Sequence, residues 1–214
     1  MRKRWWLLLT VAGASDLPAQ SVGLAIFGAG SDYREQSSAL AFGGRGIGGK
    51  ADLTWGRFGI SAMGSTADFR PGPTAAPDLE AFKAVDLEVS VRLRVASVVS
   101  LEAASIRRWV TPDRAAQALD AKRFGVRADY RLAPGADAQL RGGLVAGSTF
   151  SGGGSAKTGV SLGFGLSYGA RRRGVRLIVE YDFLRINRET TGPIGPQPVP
   201  LQSSTGRLGA LLVF

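Results

Sequence analysis

Between residues 85 and 95 every second side chain is apolar: Val85, Leu87, Val89, Val91, Leu93 and Val95 alternate with Asp86, Glu88, Ser90, Arg92 and Arg94. A period of two places one set on each face of a β-strand, one face apolar and the other charged. About 11 residues is also the length of a tilted strand that crosses a bilayer. The pattern recurs. Phe124, Val126, Ala128, Tyr130 and Leu132 alternate with Arg123, Arg127, Asp129 and Arg131, and Val160, Leu162, Phe164, Leu166 and Tyr168 alternate with serines and glycines. Val175, Leu177, Val179, Tyr181 and Phe183 do the same against Arg176, Glu180 and Asp182.

With the weaker segments included, strands are expected near 21–30, 39–54, 57–70, 82–95, 98–110, 121–133, 136–150, 157–170, 174–188 and 203–214. The apolar parity changes between Leu40 and Ile47, which predicts a β-bulge there. Short connections at 55–56, 96–97, 134–135 and 171–173 alternate with longer ones at 31–38, 71–81, 111–120, 151–156 and 189–201. Trp55, Phe58, Tyr130 and Phe214 fall near the short-turn end, and Trp109 and Phe124 near the other. The last long connection carries Pro193, Pro196, Pro198 and Pro200, which make a stiff, extended tip.

No stretch approaches the roughly 20 apolar residues of a membrane-spanning helix. Met1, Arg2, Lys3 and Arg4 precede an apolar run from Trp5 to Leu9 and then small residues, the order of a secretory signal peptide. Residues 1–20 are expected to be that signal, cleaved near Ala14 or Gln20, and 21–214 a single domain. The chain has no cysteine and no histidine, which removes disulfides, the usual general base and the commonest metal ligand. No cofactor or metal is expected. The net charge of +10 rests largely on arginines that alternate with apolar residues, a pattern for one face of a sheet rather than a nucleic-acid surface.

The C-terminal segment has Leu208, Ala210, Leu212 and Phe214 on one face. Together with the alternating turns and loops, this ending resembles the closing strand of Gram-negative outer-membrane β-barrels. The resemblance implies an all-β, antiparallel up-and-down transmembrane barrel of about ten strands, eight or twelve being the neighbouring even solutions. It implies outer-membrane lipid as surroundings and recognition of Leu208, Ala210, Leu212 and Phe214 by the barrel-insertion machinery. A separate periplasmic peptidoglycan-binding domain is not expected. The competing class is a soluble exported β-barrel that holds a lipid or other apolar ligand.

Several motifs suggest other chemistry. The segment Gly44-Arg45-Gly46-Ile47-Gly48-Gly49-Lys50 fits both glycine-rich phosphate-binding patterns, but extended alternation follows it where those patterns need a helix. Gly159 to Gly163 and Gly165 to Gly169 each match a nucleophile elbow, mid-strand and with no histidine to take the proton. Barrel enzymes of the resembled class rely on histidine, so no catalysis is expected.

If the apolar parity faces lipid, the lumen receives Lys50, Arg92, Arg94, Arg108, Arg123, Arg127, Arg131, Arg141 and Arg176 against Asp52, Asp86, Glu88, Glu102, Asp129, Glu180 and Asp182. Buried charges persist when paired or hydrated. A near-balanced set predicts interlocking ion pairs and a plugged scaffold with a structural or surface role. Inward Gly143, Gly147, Ser161, Gly163, Gly165 and Ser167 leave either a water-filled path or room for arginines from the opposite wall. Such a path, with Arg94, Arg131, Arg141 and Arg176 toward its periplasmic end, is expected to form a narrow, weakly anion-selective pore for small anionic solutes. A surface ligand at the loops is the other possible partner.

Overall fold

The computed structural model describes residues 20–35, 40–72, 79–113, 116–170, 173–192 and 195–214. The expected signal peptide lies almost entirely outside the described residues, as do 171–172 of one short turn and Pro193 of the proline-rich tip. In chain order the strands are β1 (Gln20–Glu35), β2 (Leu40–Trp55), β3 (Phe58–Pro71), β4 (Phe82–Arg94), β5 (Val99–Thr111), β6 (Leu119–Ala133) and β7 (Ala136–Phe150). They continue with β8 (Ser155–Ala156), β9 (Gly159–Gly169), β10 (Gly174–Ile186), β11 (Arg188–Gly192), β12 (Gly195–Pro198) and β13 (Leu201–Val213). Ten of these, all but β8, β11 and β12, form one closed antiparallel barrel. Each pairs with its neighbours along the chain, and β13 returns to β1.

Closure is complete along both strands, from Gly23 opposite Val213 to Glu35 opposite Leu201. The backbone N–H of Phe214 then donates to the carbonyl of Val22 at 2.9 Å. No edge remains where β1 meets β13, which is the condition for crossing hydrocarbon with strands. The outer face is apolar: Ile26 is 74% exposed, Ile47 70% and Leu208 65%. A contiguous apolar surface of this kind belongs in lipid. The fold is an all-β, up-and-down transmembrane barrel of ten strands.

Several local features depart from the expected ones. β1 runs to Glu35 instead of ending near residue 30, because Tyr33 and Glu35 point inward while Asp32 and Arg34 point out above the apolar band. No bulge interrupts β2: its pairing with β1 is continuous from Leu40 to Trp55. Leu40 and Phe42 instead face the interior with the rest of their parity, at a level where the interior is itself apolar. The β6–β7 pairing carries two register shifts instead: one on β7, where Asp120 pairs with Thr149 but Lys122 pairs with Ala146, and one beside the short turn, between Arg131 and Ala133. Gly147, with φ of +60°, supplies the left-handed backbone and flips the inward parity from Val145 to Ser148. The long connections also hold structure: β11 and β12 form a hairpin that pairs with β8. Phe124, expected in the far girdle, lines a lipid-facing hollow of about 570 Å³ with Trp55 and Phe58.

The glycine-rich stretch of β2 is explained by its neighbours. Phe27 lies directly opposite Gly48, and Phe69 directly opposite Gly44. A Cβ on Gly48 would stand 2.5 Å from both the Phe27 ring and the Gly64 carbonyl oxygen. These glycines therefore make room for aromatic rings, and the stretch is strand throughout. Gly48→Val is expected to destabilise the barrel by about 1–3 kcal/mol through overpacking, read as a lower denaturation midpoint in micelles; Gly30→Val, where a Cβ meets nothing within 4 Å, is expected to leave the midpoint within error.

Candidate functional site: the charged lumen

The inward parity of each strand builds the lumen in three levels. At the long-loop end Tyr33, Phe42, Phe69 and Phe82 form an aromatic cluster with Ala84, Val110 and Leu201. Phe69 stacks on Phe82 at 4.7 Å between centroids, and Phe42 meets Phe82 edge-on at 4.9 Å. Leu119, Ala121, Val145 and Ile186 form a second buried group. Above them the Tyr33 hydroxyl donates to Glu35 at 2.8 Å, and Arg188 lies over the Phe150 ring. This end of the lumen is filled by side chains.

The middle level is a chain of ion pairs. Arg123 on β6 donates to Glu88 at 2.7 Å and to Glu102 at 2.6 Å. Glu88 on β4 is 3.8 Å from Arg141 on β7, whose Nη2 donates to both carboxylate oxygens of Asp182 at 2.6 Å. Asp182 also accepts from Arg207 on β13, which is 3.8 Å from Glu180. Glu180 accepts from Lys50 on β2 at 3.3 Å, and Lys50 is 3.6 Å from Asp52. Beside this chain Arg108 holds Asp86 through two bonds of 2.6 and 2.9 Å. The two-pronged guanidinium–carboxylate geometry is the strong form of such contacts. Gly163 stands directly across from Arg141 in the register, and a Cβ there would meet Arg141 Nε at 2.5 Å. The small residue thus accepts an arginine from the adjacent strand, not from the opposite wall.

At the short-turn end the pairs become wetter. Arg127 donates to Asp129 at 2.9 Å, Arg92 is 3.8 Å from the same carboxylate and donates to Thr54 at 3.2 Å, and Arg176 donates to Ser167 and Asp137. A cavity of about 290 Å³ opens here. The enclosed spaces deeper in the barrel are about 10 and 90 Å³, room for a few waters.

Of the charged residues singled out in the sequence, Glu88, Arg92, Glu102, Arg127, Asp129, Arg141, Arg176 and Glu180 lie inside the barrel and make these contacts. Arg94 and Arg131 share the inward parity but sit exposed at the short-turn mouth, apart from the central chain. Arg207 was missed, although it occupies the parity opposite Leu208 and so faces the lumen; its inward neighbours on β13 are uncharged, and the strand reads as unremarkable. Leu208, Ala210, Leu212 and Phe214 face outward in one row. Among the described residues no group of three or more histidine, cysteine, aspartate or glutamate side chains could hold a metal ion.

Removing one member of a buried ion pair leaves its partner charged and unmatched, at a cost of about 3–5 kcal/mol. Arg141→Ala takes one guanidinium from each of Asp182 and Glu88, which keep Arg207 and Arg123, so it is expected to cost less stability, about 1–3 kcal/mol in denaturant titrations. Arg107→Ala breaks an exposed pair with Asp120 on the outer face and is expected to change it far less.

No family model matches the chain, and no curated protein matches it in sequence. Solved structures with a similar arrangement include the outer membrane protease OmpT from Escherichia coli, with a TM-score of 0.48 and 8% identity over 91% of this chain and 96% of that one. Neisserial surface protein A has a TM-score of 0.38 and 11% identity over 89% and 96% of the two chains. Ail, the attachment invasion locus protein of Yersinia pestis, has a TM-score of 0.35 and 15% identity over 91% and 98%.

Proposed function

We propose that this chain is an outer-membrane β-barrel whose lumen is closed by its own side chains, with a structural or surface role and no catalytic one. The observation that carries this reading is the aromatic cluster around Phe82, backed by the ion-pair chain from Arg123 to Asp52. Together they leave no space wider than a few waters from the long-loop end through the middle of the barrel, which argues against steady conduction of anions. A soluble barrel for apolar ligands would need the reverse parity, with an apolar interior; here Ile26, Leu162 and Leu177 face out and the carboxylates face in. In this reading residues 1–20 direct export, the short turns face the periplasm and the loops with β8, β11 and β12 face outward.

Purified protein in a planar bilayer is expected to give no steady conductance. Stable channels whose ion selectivity shifts in Arg131→Ala and Arg141→Ala would instead support the narrow anion-selective pore. Deletion of Phe214 removes the last backbone bond to Val22 and the end of the outward row that the insertion machinery is proposed to read. It is expected to lower the amount of heat-modifiable barrel in outer membranes several-fold, whereas deletion of Gly153 in a long loop leaves it unchanged.

A further inference from the structure

The cavity at the short-turn end is blind, and its charge is not closed. Its lining carries four basic and four acidic side chains. Arg94 and Arg131, which face inward at the mouth, add two positive charges with no carboxylate within ion-pair distance among the described residues. The turns add Arg57 and Arg173 and no acidic side chain among the described residues.

The strand register concentrates this excess on one wall. Arg94 on β4 lies opposite Ser100 on β5, and Ser100 lies opposite Arg127 on β6. All three share the inward parity. Directly opposed residues stand about 5 Å apart, so Arg94 and Arg127 rise from the same wall two strands apart, with the small, buried Ser100 between them. Arg92, next inward on β4, leans on the carboxylate that Arg127 already occupies: Asp129 is 2.9 Å from Arg127 Nε and 3.8 Å from Arg92. One carboxylate thus serves two arginines, while a third beside them has none. A low-dielectric wall of strands and lipid focuses that field into the cavity.

We infer that this mouth is a binding site for a phosphate group, held by Arg94 together with Arg92 and Arg127 of the cavity wall, with Arg131 farther out on β6. Several guanidinium forks on one wall match a multiply charged tetrahedral oxyanion better than a single carboxylate. Two sources supply that chemistry, free phosphate and the headgroup phosphate of lipid in the facing leaflet. The cavity that Arg92 and Arg127 line, at about 290 Å³, admits either.

The test is titration of the folded full-length protein, in zwitterionic micelles, with inorganic phosphate and in parallel with acetate, read by calorimetry. Saturable phosphate binding is expected, tighter than acetate binding. Arg94→Ala/Arg131→Ala is expected to weaken it about tenfold or more, the scale of lost charge-assisted contacts, with heat-modifiability unchanged. Arg94→Lys/Arg131→Lys retains most of the affinity, and Arg34→Ala/Arg70→Ala at the opposite end leaves it intact. Repeating the titration in nanodiscs separates the sources: competition by phosphatidylglycerol identifies a lipid headgroup, and undiminished uptake identifies the free oxyanion. Absence of saturable phosphate binding, or equal binding by the double alanine variant, would overturn the inference.

Discussion

Hydrocarbon offers no hydrogen bonds, so a sheet that crosses it can leave neither an unpaired edge nor an unmatched charge in contact with lipid. Both conditions are met by one device. β13 zips onto β1 over thirteen residue pairs, which abolishes the edge, and closure creates an interior into which one parity of every strand can be turned. Most of the charged residues that lipid would exclude then face the lumen, where they meet one another. Outward Ile26, Leu162, Leu177 and Leu208 and inward Arg141, Asp182, Glu180 and Lys50 are two consequences of the same closure.

Closure also decides how the interior is filled. The Arg123–Glu88–Arg141–Asp182–Arg207–Glu180–Lys50 chain touches six strands of the wall, and all its links except those of Arg207 join strands that are not neighbours in the sheet. Buried ion pairs contribute little net stability relative to apolar packing but are costly to break singly. Their effect here is to fix which strands may approach one another across the lumen. Above the chain, where the outer face becomes polar at Asp32, Arg34, Asp68 and Arg70, the interior turns aromatic. The barrel therefore changes from inside-out to ordinary polarity as it leaves the apolar band.

That change explains what was legible in the sequence. Strands within the band, such as β4 and β6, alternate sharply because lipid and lumen differ so much, and their limits lie within two residues of the expected ones. The upper part of β1 is polar outside and mixed inside, and its alternation fades just where the strand continues. The parity change between Leu40 and Ile47 is the same transition, an inward apolar cluster giving way to an outward apolar face, and it mimics a bulge. The true bulge at Gly147 passes through Ala146, Ser148 and Thr149, residues too small to mark either face. For the lumen, membership followed from parity alone, but partners did not. That Arg141 meets Asp182 depends on the register of β7, β9 and β10 and on the missing side chain of Gly163, none of which local pattern encodes.

Parity alone separates the lipid face from the lumen, and the absence of cysteine makes that division directly measurable. Single cysteines placed at 85 to 94 of β4 and spin-labelled in reconstituted bilayers should report collision with dissolved oxygen at Val85, Leu87, Val89, Val91 and Leu93. Labels at Asp86, Glu88 and Ser90 should collide with neither oxygen nor a water-soluble relaxant. A profile without a period of two, or one in which the water-soluble relaxant reaches labels at Val85, Leu87 and Val89, would contradict it.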